Sequence, residues 1–260
     1  MKILRVENLT KRFGGLYAVN NLSFSLKKGE ILSIIGPNGS GKTTLFNLIT
    51  GIYPPTEGKI FLKDDDITGL RPDKIAHKGI KRTFQTLRVF PNMTILENVL
   101  VGMHPIIEEN IFNSIFHPPI MKRQQKEATE KAISILSFFG TRLTGTRLHH
   151  PANSLSYANR RRLEICRALA SDPKVLLLDE PAAGMNPKES LEIMDQIKQI
   201  RDKGYSIILI EHDMKVVKGA SNRVIALDYG EKIAEGTPKE VSEHPRVIEA
   251  YLGKKVAKNA

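Results

Sequence analysis

Ile31-Leu32-Ser33-Ile34-Ile35 runs directly into Gly36-Pro37-Asn38-Gly39-Ser40-Gly41-Lys42-Thr43-Thr44, and Leu45, Phe46, Leu48 and Ile49 follow at helical spacing until Gly51. The order is strand, glycine-rich loop, helix. The loop fits the spacing G-x-x-x-x-G-K-[ST], in which glycines let successive backbone N–H groups converge on phosphate oxygens at a helix N-terminus. Lys42 then reaches the β and γ oxygens, and the Thr43 hydroxyl ligates Mg²⁺. At average glycine usage, chance produces this pattern somewhere in such a chain on the order of once in a hundred. The alternative, an ordinary glycine turn ahead of a helix, loses weight because the loop sits between a strand and a helix.

Further along the chain, Val175-Leu-Leu-Leu178 and Ser206-Ile-Ile-Leu-Ile210 are apolar almost throughout rather than at alternate positions. A strand covered by helices on both faces needs that pattern, so a central parallel sheet is expected. Between them, Leu191, Ile193, Met194, Ile197 and Ile200 give residues 188–203 helical periodicity and complete a β-α-β unit. Residues 1–35 alternate like strands, Lys59-Ile-Phe-Leu-Lys63 reads as a short strand before an acidic turn at 64–66, and Asp228-Tyr-Gly joins a hairpin. From about Thr94 to Leu169 the pattern is helical, with a capping box at Thr94–Glu97 and a long amphipathic helix at 122–139 ended by Gly140. Thr237-Pro-Lys-Glu240 caps a single C-terminal helix, and 254–260 reads as a loose tail.

The first apolar strand of the parallel sheet thus ends in a phosphate loop and the second ends in Asp179-Glu180. In open α/β sheets ligands bind at the carboxyl ends of the strands. Asp179 is placed to hold Mg²⁺, directly or through water, and Glu180 to polarise an attacking water. An acidic pair after a strand is, by itself, more often a helix cap or an exposed turn. The phosphate loop upstream reverses that balance.

Composition bounds the rest. The 260 residues are 41% hydrophobic and 26% charged, which excludes disordered, collagenous and repeat classes. A single cysteine, Cys166, excludes an intrachain disulfide framework and a multi-thiolate metal site, and fits a reducing compartment. Arg5 and Glu7 interrupt the first apolar run, so no secretory signal is expected there, and the longest apolar runs fall far short of the roughly 18 residues of a membrane span. A charge of +11 favours polyanions without choosing among nucleotide, nucleic acid and anionic membrane.

Between the two site elements lies Leu155-Ser156-Tyr157-Ala158-Asn159-Arg160-Arg161-Arg162, which resembles the signature segment of the ATP-binding cassette (ABC) transporter ATPases. Gln85 in Arg82-Thr-Phe-Gln85 matches the family's glutamine loop, and His212 in Ile210-Glu-His-Asp213 its switch histidine. Five elements stand in the family's order over almost the whole chain. The resemblance implies an α/β fold with a P-loop NTPase parallel-sheet core, an N-terminal antiparallel β subdomain and an inserted α-helical subdomain. One ABC ATPase domain, 1–260, is expected, with 1–90 and 170–260 as the nucleotide-binding core and about 91–169 as the helical, signature-bearing part.

The resemblance also implies roles. ATP and Mg²⁺ are the expected cofactors, with Gly36, Pro37, Asn38, Gly39, Ser40, Gly41, Lys42, Thr43 and Thr44 cradling the phosphates. Phe13 matches the aromatic that stacks on adenine, the alternative being simple core packing. Asp179, Thr43 and Gln85 match the residues around the metal, with Gln85 also sensing the attacking water and linking the site to the transmembrane partner; Glu180 matches the base, and His212 a hydrogen-bond partner of the γ-phosphate that positions Glu180. Ser156 and Ala158 belong to the segment that completes the site of a second cassette, identical or paralogous, so a dimer is implied. Transmembrane permease subunits, a substrate-binding protein acting indirectly, and the cytoplasmic face of the membrane complete the expected setting. Nucleic acid is not an expected partner, because only 114 positions separate Lys42 from Ser156, with no coiled coil between them.

The usual signature is Leu-Ser-Gly-Gly-Gln, and Tyr157, Ala158 and Asn159 depart from it. If the fourth position needs a left-handed backbone, alanine costs on the order of 1 kcal/mol relative to glycine. That raises a weakened half-site as one expectation and harmless drift as the other. Glu180-Pro-Ala-Ala-Gly-Met-Asn186-Pro and the ending Gly236-Thr-Pro-Lys-Glu240 through Ala250-Tyr-Leu-Gly253 resemble one branch, the ATPase subunits of branched-chain amino acid importers. Between His104 and Ile120, Ile107, Ile111, Phe112, Ile115 and Phe116 form an apolar stripe, which either packs on the helical lobe or meets the transmembrane subunit or the membrane surface.

Overall fold

Strands β3 (Ile31–Ile35), β7 (Val175–Asp179) and β8 (Ser206–Ile210) are buried at every position in the computed structural model, which describes residues 1–103 and 118–252. Their alternate residues feed two different cores. Leu176, Leu178, Ile207 and Leu209 face one core with helices α3 (Ile95–Met103), α5 (Tyr157–Leu169) and α6 (Pro187–Asp202). Val175, Leu177, Ile208 and Ile210 face another, filled by Leu45, Phe46, Leu48 and Ile49 of α1 (Lys42–Ile49). Two covered faces are the physical reason for strands that are apolar throughout. Truncating one such side chain, Leu176 for example, costs about 2–5 kcal/mol.

With β6 (Ile80–Arg82), β9 (Arg223–Asp228) and β10 (Glu231–Gly236) these strands form a six-stranded sheet in the order β10-β9-β3-β8-β7-β6. Every pair is parallel except the β9–β10 hairpin. Strand β8 therefore lies between β3 and β7, pairing Ile31 with Ile207 and Asp179 with Ile210. The loops after Ile35, Asp179 and Ile210 leave by one edge of the sheet.

A second, antiparallel sheet has the order β2-β1-β4-β5, from β1 (Lys2–Phe13), β2 (Leu16–Lys27), β4 (Glu57–Leu62) and β5 (Asp65–Asp66). Its apolar face, with Leu4, Val6, Leu9 and Leu62, shares the core around α1. The acidic turn is narrower than the sequence suggests. Lys63 takes a left-handed backbone beside Asp64, and Asp65–Asp66 return as β5 opposite Phe61 and Leu62.

Helix α2 (Pro72–Lys78) leads into β6. Helix α3 begins with the capping box, since Glu97 N donates to Thr94 Oγ1 at 3.1 Å and Thr94 N donates to Glu97 Oε2 at 2.8 Å. Helix α4 (Pro118–Ser137) starts earlier than the amphipathic pattern does and stops two residues short of Phe139. Gly140 is left-handed and opens the first of three short 3₁₀ turns that lead to α5. Cys166 is fully buried in α5, and burial pushes its thiol well above the usual range.

The C-terminal helix is two helices. After α7 (Met214–Ala220) and the β9–β10 hairpin come α8 (Pro238–Ser242), with Thr237 and Glu240 in a capping box, and α9 (Pro245–Leu252). Pro245 causes the break, because a proline lacks the N–H for a continuing helix and disfavours helical geometry at the residue before it. Among the described residues no helix is long and apolar enough to cross a membrane. The apolar stripe through Phe112 and Phe116 and the tail at 254–260 lie outside the described residues.

Candidate functional site

The glycine loop is held by contacts that forbid side chains. At Gly36 a Cβ would sit 2.2 Å from the Leu227 carbonyl, and at Gly41, where φ is 101°, it would sit 2.3 Å from the Ala18 carbonyl. Glycine is what lets the loop nest between β9 and β2. Gly36 N donates to the Tyr251 hydroxyl of α9 at 2.9 Å. Gly41 caps α1 without a side chain, so the first amides of the helix, those of Lys42, Thr43 and Thr44, present donors and the positive end of its dipole. Thr43 is exposed and Thr44 half-buried. Lys42 is buried, and its Nζ donates to the carbonyls of Gly36 and Pro37, both at 2.8 Å. Burial lowers its pKa, against the opposing pull of Glu180 and Asp179.

Asp179 ends β7 buried, with Oδ2 accepting from Arg82 Nη2 at 2.7 Å. Arg82 also donates to Asn47 Oδ1 of α1 at 2.6 Å, and its guanidinium lies over the rings of Phe46 and Phe84. Sequence reading passed over Arg82. The available signal was a cation inside a short strand ahead of Gln85, since a buried guanidinium requires an acceptor.

Glu180 carries φ of 47°, a left-handed backbone that costs a non-glycine residue on the order of 1 kcal/mol. Its amide donates to the Ile210 carbonyl at 3.0 Å, so β8 holds it in place. Its carboxylate then faces two groups distant in sequence. Gln85 Nε2 donates to Oε2 at 3.2 Å, and His212 Nδ1 lies 3.9 Å from Oε1. Gln85, Glu180 and His212 thus converge at the edge of the sheet that carries the glycine loop. Behind them Glu211, which sequence reading also missed, is buried with its pKa raised by desolvation. It accepts from the amides of Ala182 at 3.1 Å and His212 at 3.3 Å, tying the loop after Glu180 to the loop after β8.

The aromatic at position 13 is not core. Phe13 stands 45% exposed at the end of the β1–β2 hairpin, edge-on to Tyr53 with centroids 5.4 Å apart, and Lys11 Nζ lies over its ring. Tyr17, paired with Arg12 across the same hairpin, is also exposed.

Ser156 caps α5, its Oγ accepting from Asn159 N at 3.4 Å. Among the described residues no hydrogen bond joins Ser156 or the first turn of α5 to residues 36–44. Ala158 lies inside α5 and is buried, without a left-handed backbone. The condition under which alanine would cost stability there is absent, and in a helix alanine is preferred to glycine by up to about 1 kcal/mol. Asn186 caps α6, accepting from Glu189 N at 2.9 Å while Glu189 Oε2 accepts from its amide. An amide oxygen serves that purpose as well as a carboxylate.

In sequence and in fold the chain is similar to known proteins. The family described as ABC transporter matches residues 19–183, and the family described as branched-chain amino acid ATP-binding cassette transporter matches residues 231–257. The high-affinity branched-chain amino acid transport ATP-binding protein LivG of Salmonella typhimurium is 45% identical over 252 residues, covering 96% of this chain and 98% of LivG. BraF of Pseudomonas aeruginosa, of the same description, is 43% identical over 257 residues, covering 96% of this chain and 98% of BraF. Among solved structures, the ADP conformation of MJ1267, an ATP-binding cassette of an ABC transporter, is 37% identical with a TM-score of 0.83, covering 98% of this chain and all of that one. The dimeric bacterial cassette MJ0796 is 27% identical with a TM-score of 0.75, covering 90% of this chain and 98% of that one. With the phosphate loop, the paired carboxylates and the signature helix in one fold, the chain belongs to the ABC transporter family and is one of its ATP-binding cassette ATPases.

Proposed function

We propose that this chain is the ATP-hydrolysing subunit of an importer for branched-chain amino acids. It works as one of two cassettes, homodimeric or heterodimeric, bound to transmembrane permease subunits at the cytoplasmic face of the membrane and served indirectly by a substrate-binding protein. The observation that carries this reading is the convergence of Gln85 and His212 on the Glu180 carboxylate beside the Lys42 loop. The identities to LivG and BraF support the cargo.

In this reading the amides of Asn38, Gly39, Gly41, Lys42, Thr43 and Thr44 and the Lys42 ammonium hold the triphosphate, while the Gly36 and Ser40 amides are engaged within the chain and Pro37 has none, and Phe13 covers the adenine. The donor set suits magnesium. Thr43 Oγ1, the Gln85 amide oxygen and the Asp179 carboxylate are hard oxygen donors, and Asp179 Oδ1 makes no hydrogen bond among the described residues. Magnesium is commonly held by one or two carboxylates together with substrate phosphates, so a cage of several carboxylates is not required. An ion held there would supply neutralisation of the charge that develops on the phosphate oxygens. Glu180 accepts the proton of the attacking water, and Gln85 holds the carboxylate in place. His212 is 62% exposed on its side chain, which leaves it room to reach a γ-phosphate. Ser156 and the α5 amides make no hydrogen bond to the loop of their own chain among the described residues, and in this reading they cap the nucleotide of the second cassette. Residues 1–90 and 170–260 then serve as the nucleotide-binding core, and about 91–169 transmit its closure.

Binding energy drives that closure, because ATP shifts the equilibrium only through its greater affinity for the closed pair. Phe13→Ala should raise the Kd for ATP about 5- to 150-fold, since base–aromatic stacking contributes about 1–3 kcal/mol. Titration with a fluorescent ATP analogue measures it, and an unchanged Kd removes Phe13 from the site. The reading as a whole is tested by co-purifying the chain with its membrane subunits and assaying ATP-dependent uptake of leucine, isoleucine and valine by proteoliposomes. Uptake that ignores these amino acids overturns the cargo, and the absence of associated membrane subunits overturns the transporter.

A further inference from the structure

Behind the glutamine loop lies a buried ion pair that nucleotide binding does not account for. Arg161 and Glu164 stand one turn apart on α5, with Arg161 Nη1 2.9 Å from Glu164 Oε2 and side chains 0% and 3% exposed. Both partners also grip residues 84–88. Arg161 Nη1 donates to the Phe84 carbonyl at 2.5 Å, and Nη2 donates to the Gln85 carbonyl at 2.7 Å. Glu164 Oε1 accepts from the amides of Phe84 at 3.4 Å and Arg88 at 3.3 Å. Arg88 closes the segment by laying its guanidinium 3.9 Å from the centroid of the Phe84 ring.

Burying these two charges is costly, and the backbone bonds they make offset part of that cost. A hydrophobic pair would fill the same space and leave the loop free. A planar guanidinium fork, by contrast, fixes two successive carbonyls in one orientation. The same arginine reaches the other side of Glu180. Arg161 Nη2 donates to the Tyr157 hydroxyl at 3.3 Å, and the Tyr157 ring packs on Gly184, where a Cβ would come within 3.2 Å of it. Tyrosine at the third signature position thus touches the loop that follows Glu180, and Arg161 holds the loop that carries Gln85.

We propose that Arg161 and Glu164 are positioning residues for hydrolysis. They fix the Gln85 backbone so that its amide reaches the Glu180 carboxylate, and they bind that setting to the orientation of α5, the helix that carries Ser156. The proposal rests on the roles assigned above to Gln85 and Glu180, and it adds the route by which engagement of the signature helix reaches the carboxylate of its own chain.

The test uses the assembled transporter. Arg161→Lys keeps the charge but loses the fork. It should lower kcat for ATP about tenfold with KM changed by less than about twofold, and combined with Gln85→Ala it should cost no more than Gln85→Ala alone. Hydrogen exchange at the Phe84 and Arg88 amides should be about tenfold faster in Arg161→Lys and in Glu164→Gln, with β3 and β8 unchanged. Exchange that stays the same at those amides, or losses from Arg161→Lys and Gln85→Ala that multiply, overturns the proposal. A general loosening of all amides also overturns it, as the mark of a merely structural pair. If Arg161→Lys does not fold, Glu164→Gln carries the same exchange and kcat measurements. Should Glu180→Gln leave hydrolysis intact, the functional reading fails, while the exchange data still decide whether the grip exists.

Discussion

Glu180→Gln should reduce ATP turnover about 10²- to 10⁴-fold, the contribution of a positioned general base. Glutamine keeps the length and the acceptor oxygen, so Gln85 Nε2, 3.2 Å from Oε2 in the native chain, retains its partner. What disappears is the group that takes the proton from water. ATP binding and closure of the two cassettes should survive, leaving a nucleotide-bound dimer that does not reopen. Light scattering with ATP and Mg²⁺ should show the mass doubling in the variant and persisting, whereas in the native chain it decays as ATP is consumed. Turnover within threefold of native would eliminate Glu180 as the base. Loss of turnover without dimer accumulation would mean that the carboxylate is also needed for closure.

The second large effect is expected at Lys42. Removing one partner of a buried, hydrogen-bonded charge pair costs about 2–5 kcal/mol, so Lys42→Ala should raise the Kd for ATP by about 30- to several-thousandfold. Calorimetric titration measures this directly, and a change below threefold would show that Nζ does not touch the phosphates. A folding cost accompanies it. Nζ donates to the carbonyls of Gly36 and Pro37, and leaving these without that donor should cost about 1–3 kcal/mol. The drop in Tm without nucleotide reports the folding cost. The Kd, measured on protein shown to be folded, reports the binding cost.

The two variants differ in what can be read along the chain. Lys42 is legible because a short run of glycines, a cation and a hydroxyl at fixed spacing encodes a local backbone shape. The apolar strands around it are legible for a similar reason, since a strand facing two cores has no polar alternation, and Leu176 and Leu177 do face opposite cores. Caps at Thr94, Asn186 and Thr237 are likewise local. Where local rules compete, legibility fails. One C-terminal helix became two at Pro245, and the acidic turn at 64–66 shed two residues into a strand.

The pair Arg82–Asp179 shows the other limit. Both residues are plain in sequence, yet 97 positions separate them, and nothing along the chain says that β6 lies beside β7. The grip of Arg161 on Gln85, across 76 positions, is hidden in the same way, within the run Arg160-Arg161-Arg162.

The amino-acid sequence by itself determined the elements of this protein: the glycine cradle, the doubly covered strands, the capped helices and the order of the chemistry-bearing residues. Each depends on neighbours within a few positions, where sterics, periodicity and side-chain-to-backbone hydrogen bonds operate. Only the tertiary structure decided that Ala158 sits in an ordinary helical turn, that Phe13 is exposed, and that Gln85 and His212 meet at Glu180. The meeting at Glu180 follows from strand order, which places β8 between β3 and β7, and the contacts of Arg82 and Arg161 follow from the desolvation of charges, which forces each buried guanidinium onto whichever oxygens the packing brings within reach.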